Sequence, residues 1–168
     1  NGTVGNDVVM LLPGTYAGPC DIVARPSNQP GEQTVVQSFD PASPAQFRSR
    51  VPAREVAAGP SDHVLKVSGE SLVLVQVAFA DLPAGVTAVR VGPMRELWVR
   101  SASFRDLAGD AIVADGDVGL FSVTDSEFVG VRGAVRVGCD DGSCVASWFD
   151  VNENLIVGAA EGIRVGPG

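Results

Sequence analysis

At 168 residues, with 45% hydrophobic side chains and a mean hydropathy of +0.21, the chain has room for one domain with a sizeable core and is excluded from the disordered class. Its formal net charge of −8 and pI near 4.5 exclude the cationic footprint that phosphate backbones select, so nucleic acid is not an expected partner. No apolar run approaches the roughly 18 residues that a membrane span needs, so no span is expected.

Residues 1–38 read as opening strands. Asp7-Val8-Val9-Met10-Leu11-Leu12 is apolar, breaks at Pro13-Gly14 and resumes at Thr15-Tyr16, and a second apolar segment covers Thr34 to Ser38. Cys20, after Gly18-Pro19, is expected to be a small buried hydrophobe. Residues 39–61 break the rhythm with Pro41, Pro44, Pro52 and Pro60 among Arg48, Arg50, Arg54 and Glu55, and read as a loop excursion. His63, the single histidine, is expected at the surface where the next strand begins.

Regular coils are expected over 62–168. Leu65-Lys66-Val67, Val89-Arg90-Val91, Ile112-Val113-Ala114, Val135-Arg136-Val137 and Ile163-Arg164-Val165 recur at steps of 24, 23, 23 and 28 residues, the period of a stacked repeat. A second strand with period-two alternation follows each anchor, through Leu72 and Leu74, Leu97 and Val99, then Phe121 and Val123. A third follows with Phe79, Phe104 and Phe128, for which Leu155 is the expected successor. Between the second and third strands, Gln76, Ser101, Asp125 and Asn152 are expected to form a polar corner column. Strands this short, running the same way round, must pair with equivalents above and below, and parallel crossovers are right-handed. The expected fold is an all-β, right-handed parallel β-helix of about five coils, held as a single domain across 1–168. Helical repeats of similar period are excluded because no segment carries apolar residues at i, i+3 and i+4.

The opening segment Asn6-Asp7-Val8-Val9-Met10-Leu11-Leu12-Pro13-Gly14-Thr15-Tyr16 resembles the first strand and Pro-Gly turn of the pectate-lyase-like right-handed β-helix proteins. Pro30 to Ser38 is similar to that superfamily's second strand, and Asp62 to Gly69 to the strand that begins its regular coils. The resemblance covers nearly the whole chain at superfamily level and specifies no reaction. Two departures stand out: nothing before Asp7 could form the amphipathic cap helix usual in that group, and Gly166-Pro167-Gly168 follows directly on an anchor strand. The expectation is an excerpt of a longer polypeptide, with head-to-tail association of open ends as the alternative.

The middle residue of each anchor must face outward, which places Lys66, Arg90, Arg136 and Arg164 on one face, interrupted by Val113. Guanidinium forks in a row suit a carboxylated or sulfated polysaccharide; the competing expectation is that their stems cover the sheet and their heads pair with acids such as Asp110 or Glu161. A lyase acting on uronates needs a base and a cation, roles that Lys66 and Arg90 could take as catalytic candidates. Asp115, Asp117, Asp140 and Asp141 are the candidate ligands if calcium is the cofactor. Trp98, outward between Leu97 and Val99, is the best candidate for stacking against a sugar. Asp140-Asp141 lacks the surrounding hydrolase motif, and no nucleophile elbow or phosphate loop is present. Cys139 and Cys144 flank Asp140-Asp141-Gly142-Ser143 closely enough for a local disulfide, which points to an extracellular or cell-surface site; a reduced pair is the alternative. The leading functional expectation is a non-catalytic module for glycan contact or end-to-end assembly, and the alternative is a polysaccharide lyase.

Overall fold

A computed structural model describes residues 7–24, 32–49, 63–138 and 146–166. Every regular element in those residues is a β-strand, and every pairing is parallel. The first winding is β1 (Asp7–Leu11), β2 (Thr15–Gly18) and β3 (Cys20–Ala24). The second is β4 (Thr34–Ser38), β5 (Gln46–Ser49) and the start of β6 (His63–Val75); the third is the rest of β6, β7 (Ala78–Leu82) and the start of β8 (Thr87–Arg100). The fourth is the rest of β8 and both halves of β9 (Ser103–Ala114), and the fifth β10 (Val118–Thr124) and β11 (Glu127–Val137). The last is β12 (Ala146–Asn152), β13 (Leu155–Val157) and β14 (Glu161–Val165). About five turns therefore separate Cys20 from Ile163, and the winding is that of a parallel β-helix, consistent with the right-handed form.

The five anchors are register partners. Leu65 pairs with Val89, Val89 with Ile112, Ile112 with Val135 and Val135 with Ile163, and Cys20 precedes them opposite Leu65. Cys20 is nevertheless exposed, which corrects the expectation that it is buried: it lies on the outermost rung, where no further rung covers it among the described residues. The excursion expected over 39–61 is interrupted by β5, which pairs with β2 and β7 and places Phe47 in the core; residues 50–62 lie outside the described residues.

Phe47 belongs to the column that holds the second face together. Tyr16, Phe47, Phe79, Phe104 and Phe128 stack with ring centroids 5.6, 5.2, 5.1 and 4.8 Å apart, and the Phe79, Phe104 and Phe128 rings are within 3° of parallel. Each contact contributes about 0.5–1.5 kcal/mol beyond the burial of the rings. The next member is Ile156, opposite Phe128, whereas the expected successor Leu155 pairs with Glu127 and is 54% exposed.

The expected polar corner column is corrected in membership and in cause. Gln76, Ser101 and Asp125 are joined by Glu153 rather than Asn152, and all four have φ between 51° and 55°. From the third winding on, this corner therefore takes one left-handed residue per winding, a conformation that Asp tolerates better than most side chains and that Gln76 and Glu153 adopt at a cost. The hydrogen-bonded ladder lies one residue further on. Ala45, Val77, Ala102 and Ser126 are buried there, and Ser126 Oγ accepts from Ala102 N at 3.1 Å and donates to Thr124 O at 2.9 Å. Asn154 ends this column: its Nδ2 donates to Val123 O and Asn152 O, both at 2.8 Å, and its Oδ1 accepts from Ser126 N at 2.9 Å.

Candidate ligand-contact faces

The outward middle column forms as expected: Asp21, Lys66, Arg90, Val113, Arg136 and Arg164 are successive register partners on the face built from β3, β14 and the parts of β6, β8, β9 and β11 beside them. Its cations are largely committed. Arg90 donates through Nε to Asp115 Oδ2 at 2.6 Å, with Nη2 at 2.5 Å from the same oxygen, and both side chains are about one-third exposed or less. Arg164 lies 3.7 Å from Glu161. Val113, between Arg90 and Arg136, is only 3% exposed although it points outward, as expected if arginine stems lie over the sheet. Lys66 is exposed and makes no ion pair among the described residues.

The same cross-rung pairing recurs beyond this column. Arg132 grips Asp110 with Nε to Oδ1 and Nη2 to Oδ2, both at 2.9 Å, and this fork, with Glu161 nearby, raises the guanidinium pKa further above its ordinary value. Gly133 makes room for it, because a Cβ there would stand 2.7 Å from Asp110 Oδ1. Arg105 bonds Glu127, Arg95 lies 3.3 Å from Glu70, and Arg48 lies 3.3 Å from Asp81. Exposed pairs of this kind contribute up to about 1 kcal/mol each, so they pin one rung to the next more than they stabilise the whole.

Of the candidate calcium ligands, Asp115 and Asp117 lie among the described residues. Asp115 is held by Arg90, Asp140 and Asp141 lie outside the described residues, and no three His, Cys, Asp or Glu side chains are grouped for a metal among the described residues. Cys139 and Cys144 also lie outside them. His63 Nε2 is 3.3 Å from Asp21 Oδ1, and its side chain is 14% exposed. It opens β6, as expected of a strand-entry residue, and stays partly exposed beside the strand of the first winding.

The face built from β1, β4, β10, β12 and the later parts of β6 and β8 has a different character. Leu97, Phe121 and Phe149 point inward in register, the last two stacked at 5.6 Å, so the residues between them point out. Val73, Trp98, Ser122 and Asp150 form one outward column, and Ser71, Glu96, Leu120 and Trp148 the column beside it. Both tryptophans of the chain therefore project from one sheet face, Trp148 being 65% exposed. The Arg100 guanidinium lies over the Trp98 ring, 4.9 Å from its centroid. Ser122 is 1% exposed, and neither its Oγ nor Trp98 Nε1 has a hydrogen-bond partner among the described residues, although both atoms are buried. Leaving such a group unsatisfied costs about 1–3 kcal/mol.

Sequence reasoning counted Trp98 and Trp148 as members of a small stacking platform, with Trp98 the best candidate, but missed Arg100, Leu120 and Ser122. The alternation through Leu97 and Val99, carried on to Phe121 and Val123, was the signal that could have placed these three on the same surface. Comparison with protein-family models, curated proteins and solved structures finds no match to this chain.

Proposed function

We propose that this chain is a non-catalytic, extracellular β-helix module of the pectate-lyase-like kind, a stiff rod whose sheet faces contact glycan. The observation that carries the reading is the placement of both tryptophans on one flat sheet face, where indole rings can stack against sugar rings. The engagement of Arg90 by Asp115 supports the non-catalytic part, because the group that would neutralise a substrate carboxylate is already neutralised. Tyr16 Oη donates to Leu12 O at 3.0 Å across the Pro-Gly turn, which gives the superfamily-like opening motif a structural role.

Polysaccharide lyase activity is the second reading. It is favoured by the register pairing of Lys66 with Arg90 on adjacent rungs. Incubation with pectin, alginate and chondroitin, with and without calcium, separates the two. The module reading predicts retention of the protein on one or more immobilised glycans with no ultraviolet signal from unsaturated products; a signal that disappears in Lys66→Ala would establish the lyase.

A further inference from the structure

We infer that the tryptophan-bearing face is a subsite for an uncharged pyranose-based oligosaccharide, stacked on Trp98 and Trp148 and hydrogen-bonded at Ser122. The inference deepens the glycan-contact reading and rests on it. Trp98 pairs with Ser122 and Leu120 with Trp148, so the two indoles stand two rungs apart and one residue pair along the strands. That is about 10 Å up the stack and about 7 Å along it, a span suited to a short oligosaccharide crossing the face diagonally. Between them lie Leu120, half-buried, and Ser122, whose Oγ, like Trp98 Nε1, is buried without a hydrogen-bond partner among the described residues, so a sugar reaches these atoms only when the side chains over them move aside.

A sugar ring matches this combination better than other ligands do. Its axial C–H face stacks on indole, and its hydroxyls both donate and accept, as Trp98 Nε1 and Ser122 Oγ require. Arg100 is the residue that must give way. It is exposed, makes no ion pair among the described residues, and lies on the Trp98 ring. A pyranose that takes over the ring face displaces the guanidinium into solvent. Glu96 and Asp150 flank Trp98 and Ser122, and the cations beside them among the described residues are Arg100 and Arg95, the latter 3.6 Å from Glu96, so on a chain of net charge −8 the face carries no excess of positive charge to select a polyanion.

Intrinsic fluorescence reads this site directly, since the chain has only two tryptophans and both are in it. Titration of the whole chain with gluco-, xylo- and manno-oligosaccharides, and with oligogalacturonate as the charged counterpart, should shift the emission with at least one neutral series and not with the uronate. Trp148→Ala, at an exposed position, should weaken binding about tenfold. Trp98→Phe should keep the ring and lose the Nε1 contribution, a few-fold effect, and Arg100→Ala should bind as tightly as the parent or more tightly. Circular dichroism checks that each variant is folded. Uronate binding that is indifferent to Trp148→Ala would overturn this subsite while leaving glycan contact intact on the arginine face. No binding to any glycan would overturn both.

Discussion

Backbone conformation at single residues decides where this helix can turn. Gln76, Ser101, Asp125 and Glu153 take left-handed φ at one corner, and Asp81, Asp106, Gly130 and Gly158 take it at another, with φ from 54° to 67°. The conformation costs a side-chain-bearing residue about 1–2 kcal/mol, against about 0.5–1 kcal/mol of extra chain entropy for glycine. Gln76→Gly should therefore raise stability by about 0.5–1 kcal/mol in a denaturant titration. The reverse change behaves differently where space is the constraint. A Cβ at Gly109 would stand 2.0 Å from Val86 O, a backbone atom of the preceding winding. Gly109→Ala should lower stability by about 2–3 kcal/mol, since the rungs must part to admit it. A neutral outcome for Gly109→Ala would mean that these two rungs are not stacked as described.

At the scale of elements, two columns share the work of holding windings in register. The aromatic stack contributes burial and ring contact, whereas the Ser126–Asn154 ladder satisfies corner backbone groups that the sheets leave over. Phe104→Ala, in the middle of the stack, should cost about 3–5 kcal/mol. Asn154→Ala removes three hydrogen bonds near the last rung and should cost about 2 kcal/mol. Because a solenoid transmits stability mainly between neighbouring rungs, hydrogen exchange in Asn154→Ala should quicken in β12–β14 first and leave β6 protected. Uniform acceleration across the chain would contradict that.

These columns also show what the residues disclosed in advance. Three of the five stacked aromatics, and the anchors at 65, 89, 112, 135 and 163, were legible because the spacing hardly varies through the middle windings. The last winding was misread by one residue. Phe121 pairs with Phe149, Phe128 with Ile156 and Val135 with Ile163, a constant step of 28, so the additional residues enter once, between Val137 and Ala146. Counting 27 instead lands on Asn152 and Leu155, each one residue short. Phe47 was hidden by its prolines, since a proline-rich segment reads as loop until the register of β2 shows where a strand must fit. The candidate faces were only half legible: alternation reveals which way a side chain points, but not that Asp115 would reach back a full winding to Arg90.

The whole molecule is an acidic rod whose cations are bound to acids one turn away, at Arg90, Arg95, Arg105 and Arg132, while its tryptophans gather on a different face. Charge on this chain therefore stitches the windings together, and the ligand contact we propose falls to the aromatic surface. No helix among the described residues is long and apolar enough to cross a membrane. All of these assignments rest on rungs stacked in the register given. Pulsed electron paramagnetic resonance between nitroxides at positions 66 and 164, in a chain with Cys20, Cys139 and Cys144 replaced by serine, tests that stacking most directly. The two positions share one outward column four rungs apart, so a single narrow distribution is expected, centred on a backbone separation of about 19 Å. A featureless spread, or a separation several times larger, would contradict the parallel β-helix and everything placed on its faces.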